Sequence, residues 1–129
     1  MNNAAISSNS NELAGASLFA GLTAAFTTNA IGPAVIVETF APLLSNSTKT
    51  PRIANVTSGA GSIYLRLNDK HEHQKIKSLP YRASKTALNM LMACQAYDYE
   101  EKGWKVFCVR NFDVRTACET YTDFVLHHL

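Results

Sequence analysis

Apolar residues along the chain fall into runs that predict helices and short strands. Residues 13 to about 28 are rich in Ala, Leu and Phe, which predicts a helix. Residues 31–44 are strongly apolar. Their β-branched side chains favour a strand and their length favours a helix, so this pattern leaves both open. Pro33 suits the start of a helix, whereas Pro42 is expected to kink or end one.

The second half of the chain predicts a strand–helix–strand unit. Residues 52–57 and 105–109 are short runs with the composition of β-strands. Residues 66–80 are polar and predict a loop, and an apolar stripe at helical spacing then predicts a long helix from about Tyr81 to Lys102. A right-handed crossover of this kind makes the two strands parallel. We therefore expect an α/β fold with ligands at the carboxyl ends of its strands.

Composition and charge fit a single soluble globular domain. The 129 residues are enough for one core, and 47% hydrophobic against 17% charged residues argues against a disordered chain. The net charge of +2 comes without a basic cluster, so no nucleic-acid partner is expected. The segment His71-Glu72-His73 lacks further metal ligands and is predicted to be solvated, so we expect no metal site.

Cysteine usage and the first residues predict a cytoplasmic location. Cys94, Cys108 and Cys118 form no CxxC pair, and the residues after Met1 lack the pattern of a signal peptide. Residues 13–37 are uncharged over a length that could cross a bilayer, for which about 20 apolar residues are needed. Thr, Asn and Pro interrupt this stretch, which favours a buried helix, and we expect no membrane partner.

Tyr81 and Lys85 carry the clearest chemical signal in the sequence. At positions i and i+4 they share one face of the predicted helix. A phenol has a pKa near ~10, and an adjacent ammonium lowers that pKa, so the pair can exchange a proton with a carbonyl or alcohol oxygen. Ser58 follows the first strand and could donate a hydrogen bond to the same oxygen. Taken alone, the pair is more often a surface pair on an amphipathic helix.

Four short segments together carry a family resemblance. They are Asn2-Asn3-Ala4-Ala5, Thr28-Asn29-Ala30-Ile31-Gly32, Asn55-Val56-Thr57-Ser58 followed by Gly61, and Tyr81-Arg82-Ala83-Ser84-Lys85. In this order they resemble the Asn-Asn-Ala-Gly, Asn-Val-x-Gly, strand-end Ser and Tyr-x-[Ala/Ser]-Ser-Lys segments of the short-chain dehydrogenases/reductases. The resemblance implies a partial Rossmann-like, doubly wound parallel sheet. Residues 1–129 would then be a single incomplete NAD(P)-binding domain, its central and C-terminal part only.

The resemblance implies a role for each matched residue. Tyr81 would be the general acid in carbonyl reduction and the base in alcohol oxidation. Lys85 would lower the pKa of Tyr81 and hold the nicotinamide ribose. Ser58 would orient the substrate carbonyl, and Asn29 would hold a water in the proton relay.

The resemblance also implies a nicotinamide cofactor, NADP or NAD, with NADP favoured. Its adenosine side would be lined by Asn3, Ala4 and Ala5. The family's Thr-Gly-x-x-x-Gly-x-Gly turn, which cradles the pyrophosphate, has no match in the chain. Ala5 replaces the family's Gly, and Asn111-Phe112 replaces its Pro-Gly. The 129-residue chain on its own is therefore expected to be weakly active or inactive.

The predicted function is an NAD(P)-dependent oxidoreductase that interconverts a carbonyl and an alcohol on a small-molecule substrate, with Tyr81 as acid and base. A second hypothesis is a truncated, catalytically inactive homologue that acts as an interaction partner. It would pair with itself or with full-length relatives through the apolar helix after Asn29 and the helix after Tyr81. A third is a fragment of an incomplete gene model.

Overall fold

The computed structural model describes residues 1–2, 4–7, 17–67 and 78–110. They form parallel strands and helices, the mixed α/β arrangement that the sequence predicts. In chain order the elements are α1 (Leu18–Phe26), a π-helical turn (Thr27–Ile31), α2 (Gly32–Ser45), β1 (Arg52–Thr57), a 3₁₀ turn (Gly59–Gly61), α3 (Ile63–Leu67), α4 (Leu79–Asp98) and β2 (Lys105–Arg110).

The sheet is parallel, and β1 lies in its middle among the described residues. Strands β1 and β2 pair from Arg52 with Lys105 to Thr57 with Arg110. On the other edge of β1, the N–H of Asn2 donates to the carbonyl of Ala54 at 2.8 Å, in a parallel bridge. The strand–helix–strand prediction is confirmed, and the carboxyl end of β1 leads directly to Ser58.

Helices α1 and α2 form one continuous rod, so the ambiguous run at 31–44 is helical. Pro33 lies in the first turn of α2, as the sequence predicts. The expectation that Pro42 kinks or ends a helix here is wrong, because α2 continues through it to Ser45. Pro42 has no N–H to offer the carbonyl of Glu38, but both residues are exposed, so water can satisfy that carbonyl.

The rod over Leu18–Ser45 is also long and apolar enough to cross a bilayer, with a mean hydropathy of 1.4. It is the one such helix in the described part of the chain. The sequence favoured a buried helix, yet only 33% of its apolar window is buried, so burial is confined to one side.

Helix α4 begins and ends earlier than predicted. The Oγ atom of Ser78 accepts a hydrogen bond from the N–H of Tyr81 at 3.3 Å and caps the helix, and Pro80 occupies its first turn. The helix ends at Asp98 rather than at Lys102. Part of the loop predicted for 66–80 is helical, since α3 extends to Leu67. Residues 68–77, which include the His71-Glu72-His73 segment, lie outside the described residues, as does Cys118.

An apolar cluster lies at the amino ends of the strands, at the opposite end of β1 from Ser58. It contains Val37, Ile53, Tyr99 and Trp104, each less than 9% exposed. The rings of Tyr99 and Trp104 stack with centroids 4.4 Å apart at an angle of 18°. Trp104 directly precedes β2, so this cluster joins the end of α4 to the amino ends of the strands.

Replacing Gly103 by alanine is expected to destabilise the fold by about 1 kcal/mol, because Gly103 holds a φ of +69° that L residues adopt with strain. A Cβ atom there would meet nothing within 4 Å, so strain is the whole effect. Urea denaturation measures the loss. Gly103→Asn is the matched control and should lose less, since Asn tolerates positive φ better. Equal stabilities of Gly103→Ala and the parent would contradict the backbone argument.

Candidate active site

The carboxyl end of β1 turns at Ser58 into the buried 3₁₀ turn Gly59–Gly61. The Oγ atom of Ser58 accepts a hydrogen bond from the N–H of Ala60 at 3.2 Å, and its side chain is half-buried. A hydroxyl that accepts keeps its own proton to donate. The structure therefore presents Ser58 as a fixed hydroxyl at the strand edge where the sequence places a ligand. This segment, Ser58 with Gly59–Gly61, is called the Ser58 turn below.

Tyr81 and Lys85 lie in the first two turns of α4, beside the end of β1. The Nζ atom of Lys85 donates to the carbonyl oxygen of Val56 at 2.8 Å and lies 5.8 Å from the centroid of the Tyr81 ring. Lys85 is only 2% exposed, whereas Tyr81 is half-buried. The pair is therefore not a surface pair on an amphipathic helix. The ammonium is anchored under the phenol ring by the strand that carries Ser58.

Burial determines the electrostatics of Lys85. Loss of water around the ammonium lowers the pKa of Lys85 from its ordinary 10.5, and the nearby sulfur of Cys108 acts in the opposite direction with a smaller effect. Of its three N–H donors, one is used by Val56 in the described contacts. The group is thus a desolvated cation with donors left for a ligand.

Asn29 lies inside the π-helical turn that separates α1 from α2. Its side chain is fully buried, and it exchanges two hydrogen bonds of 2.8 Å with the backbone N–H and carbonyl of Ile6. Its Nδ2 atom also donates to Oγ of Ser84 at 2.9 Å, and Ser84 donates to the carbonyl of Tyr81 at 2.9 Å. π-helical turns occur often at functional sites. Here the turn connects the segment after Asn2 to the helix that carries Tyr81.

The side chain of Asn29 has both N–H donors occupied by Ile6 and Ser84. A water held by this residue would therefore have to contact its backbone carbonyl or the remaining lone pair of Oδ1. The structure places Asn29 in the framework of the site, between Ile6 and Ser84.

The remaining predicted site residues are Asn3, Ala4 and Ala5. Ala4 and Ala5 are exposed beyond the bridge that Asn2 makes to β1, and Asn3 lies outside the described residues. Under this segment, Nδ2 of Asn2 donates to Oδ1 of Asn55 at 2.7 Å, and Asn55 donates to Gln95 on α4 at 3.1 Å. These amides connect the segment to the same strand and helix that carry Ser58 and Tyr81.

Two polar residues that the sequence analysis missed also contact the Ser58 turn. Asn89 accepts a short hydrogen bond from Oγ1 of Thr57 and donates to the carbonyl of Gly61 at 3.4 Å. Oγ1 of Thr86 donates to the same carbonyl at 2.9 Å. Both belong to Thr86-Ala87-Leu88-Asn89-Met90, the helix continuation that also resembles the family. Their spacing of three positions puts them near one face of α4.

Replacing Gly61 by alanine is expected to displace the Ser58 turn and cost about 1–3 kcal/mol of stability. A Cβ atom at Gly61 would lie 2.7 Å from the backbone carbon and 2.9 Å from the Cβ of Lys85, and helix backbone cannot move aside cheaply. Thermal or urea denaturation measures the cost. At Gly21 in α1 the added methyl would make an ordinary contact of 3.4 Å with Pro80, so Gly21→Ala is the control. A Gly61→Ala protein as stable as this control would refute the close approach.

The chain belongs to the short chain dehydrogenase family, whose model matches residues 1–123. The family resemblance of its four segments is thereby confirmed.

Two curated relatives carry the family name. The chain is 40% identical over 121 residues to short-chain dehydrogenase anuI of Penicillium roqueforti (strain FM164), covering 87% of this chain and 47% of that protein. It is 36% identical over 90 residues to short-chain dehydrogenase/reductase eupG of Phoma sp, covering 61% of this chain and 32% of that protein. The chain thus spans less than half the length of the curated relatives it matches.

Two solved structures share the fold. The NADPH-bound carbonyl reductase from chicken fatty liver matches with a TM-score of 0.65 at 34% identity, over 84% of this chain and 42% of that chain. The Sniffer protein of Caenorhabditis elegans matches with a TM-score of 0.60 at 22% identity, over 84% of this chain and 48% of that chain. The Rossmann-type α/β fold is confirmed for the part of the domain that the chain covers.

Proposed function

We propose that this chain is the catalytic portion of an NAD(P)-dependent oxidoreductase that interconverts a carbonyl and an alcohol, with Tyr81 as the acid and base. The observation that carries the proposal is the position of Lys85. Its ammonium is almost completely buried, lies 5.8 Å from the Tyr81 ring, and is bonded to the strand that ends at Ser58. Burying a cation costs free energy, and a purely structural position would not need one.

The described residues fit the nicotinamide ribose and the adenosine side of a nicotinamide cofactor. Lys85 keeps N–H donors for ribose hydroxyls, and exposed Ala4 and Ala5 offer small side chains beside a strand end, where a flat ring system can approach. The Gly-rich turn that would bind the pyrophosphate has no match in the chain. When bound, the cofactor supplies the hydride, which no protein side chain can provide.

The protein groups would control the proton and the orientation of the carbonyl. In reduction, the phenol of Tyr81 transfers its proton to the oxygen of the carbonyl as the carbon receives hydride. The buried ammonium of Lys85 stabilises the negative charge that this leaves on Tyr81. The hydroxyl of Ser58 is already held as an acceptor by Ala60, so its proton is free to donate to the same carbonyl oxygen.

We further propose a small carbonyl or alcohol as substrate and NADP as the preferred cofactor. Support comes from the 34% identity to the chicken carbonyl reductase, whose structure contains NADPH.

The test measures nucleotide oxidation and alcohol formation by the protein purified from its natural source, in parallel with the 129-residue chain. Aliphatic and aromatic aldehydes and ketones are supplied with NADPH or NADH. The natural protein should turn over and favour NADPH, and the isolated chain should be weak. Titration calorimetry with each nucleotide makes the result independent of the substrate chosen. A natural protein that binds neither nucleotide would overturn the proposal.

A second role is favoured by the exposed side of the rod formed by α1 and α2. Phe19, Val35, Phe40 and Leu43 are each more than half exposed, so this side offers apolar area to a second copy or to a full-length relative. Sedimentation velocity over a range of chain concentrations tests for self-association, and mixing with a full-length relative tests for pairing. A chain that stays monomeric in both experiments would rule the role out.

A further inference from the structure

Asn89 contacts the Ser58 turn from both ends, although the sequence analysis assigns it no role in the site. Its Oδ1 atom accepts from Oγ1 of Thr57, the residue before Ser58, and its Nδ2 atom donates to the carbonyl of Gly61, at the end of the turn. One amide therefore spans the segment that presents the Ser58 hydroxyl.

An amide suits the chemistry of this contact. Thr57 is 6% exposed, so its hydroxyl needs an acceptor inside the protein, and Asn89 adds a second, longer donor to the Gly61 carbonyl that Thr86 also contacts. Only a side chain with an acceptor and a donor on the same planar group serves both at once. A carboxylate would repel the Gly61 carbonyl. An apolar side chain would neither accept from the Thr57 hydroxyl nor donate to that carbonyl.

Neighbouring residues of α4 complete the attachment. Thr86 donates to the carbonyl of Gly61 at 2.9 Å, and Lys85 donates to the carbonyl of Val56 at 2.8 Å. Gly61 lies so close to Lys85 that no Cβ atom would fit. The helix that carries Tyr81 thus fixes the backbone on both sides of Ser58, and Asn89 is the residue that holds both sides with one side chain.

We propose that Asn89 is a positioning residue for Ser58: through Thr57 and Gly61 it sets the position of the Ser58 hydroxyl relative to Tyr81, and thereby the rate of carbonyl reduction. The inference rests on the proposed function. Asn89 does not contact the reacting atoms in this scheme, so its effect should pass entirely through Ser58. If Asn89 only stabilised the fold, its replacement would lower stability, and its effect on kcat would not depend on the presence of Ser58.

The test uses Thr57→Val and Thr57→Ser, together with Asn89→Ala, in the natural protein. Thr57→Val keeps the shape and removes the donor, so kcat should fall about 10- to 100-fold, as small misplacements of a catalytic group do. Asn89→Ala should act in the same way. Thr57→Ser keeps the hydroxyl and should stay within about twofold of the parent, as should Met90→Ala, an exposed neighbour on α4. KM for the nucleotide should change little in all four.

A double-mutant cycle shows whether the effect passes through Ser58. In a Ser58→Ala background, Asn89→Ala should lower kcat by less than about twofold further, because the group it positions is gone. An undiminished loss in that background, or equal losses in Thr57→Ser and Thr57→Val, would overturn the proposal.

Hydrogen exchange separates the positioning role of Asn89 from the proposed oxidoreductase function. In the 129-residue chain, Asn89→Ala should speed amide exchange at Ala60 and Gly61, whose N–H groups bond to Ser58, and leave the middle of α4 unchanged. Unchanged exchange at these two amides would show that Asn89 does not hold the turn, whether or not the protein is an enzyme. Faster exchange, together with a natural protein that shows no turnover, would support the role of Asn89 in holding the Ser58 turn and refute the proposed function instead.

Discussion

Tyr81→Phe is expected to lower kcat for carbonyl reduction by about 10²–10⁴-fold, the range typical of a lost general acid. Phenylalanine keeps the ring beside Lys85 and removes only the hydroxyl that delivers the proton. Stopped-flow or steady-state nucleotide oxidation by the natural protein measures the loss, and nucleotide binding should be nearly unchanged.

The matched control is Tyr97→Phe. Tyr97 lies on the same helix but is 79% exposed, so removal of its hydroxyl should leave both turnover and stability as they were. If Tyr81→Phe retained more than about a tenth of the parent kcat, the proton would have to come from another group, and the assignment of Tyr81 as acid and base would be wrong.

Lys85→Met should give a protein that is inactive yet at least as stable as the parent near neutral pH. Methionine has nearly the same length and carries no charge, so the cost of burying an ammonium disappears, which stabilises by about 1 kcal/mol or more. The lost hydrogen bond to Val56 opposes this by about 1 kcal/mol or less. Turnover should fall by about 10²-fold or more, since the charge next to Tyr81 is gone.

The pH dependence provides a second readout of the same substitution. Burial lowers the folded-state pKa of Lys85 below the 10.5 of the unfolded chain. Between these two values the unfolded chain binds more protons than the folded protein, so parental stability rises with pH in that window. Lys85→Met lacks this titration, and its advantage should therefore shrink as the pH approaches 10.5.

Urea midpoints at a series of pH values measure the difference in stability between the parent and Lys85→Met. Lys49→Met, in an exposed loop, serves as the control for the loss of one lysine. Two results would contradict the argument: a Lys85→Met protein less stable than the parent at neutral pH, or a stability difference that does not change with pH. Either would show that burial of the Lys85 ammonium does not destabilise the fold.

Much of the fold follows from local pattern, because it depends on residues close together in sequence. The strand at 52–57 was predicted from its β-branched and apolar residues, and the structure places β1 over the same six residues. The start of α4 was missed by two residues, although Ser78 and Pro80 provide the cap and first-turn signals that define it. Pro42 shows the limit of such rules, since exposure near a helix end removes most of the cost of a missing N–H.

The candidate site was only partly predictable, because its support depends on tertiary packing. Tyr81, Lys85 and Ser58 were found by chemistry and spacing, and Asn29 by family resemblance. No periodicity reveals the π-helical turn around Asn29, which is stabilised by contacts with Ile6 and Ser84 far away in sequence. Asn89 was missed because a polar residue on a helix ordinarily faces water, and only the approach of the Ser58 turn gives it partners.

The parallel pairing of the sheet has a consequence for how the chain folds. Asn2 and Asn55 are 53 positions apart, and Arg52 is equally far from its partner Lys105, so neither edge of β1 can pair until a long loop has closed. Helices form from local contacts in far less time, which makes sheet closure the slow step. Ser58 and Tyr81 meet only after that step, and a nucleotide that binds there should slow unfolding without accelerating folding.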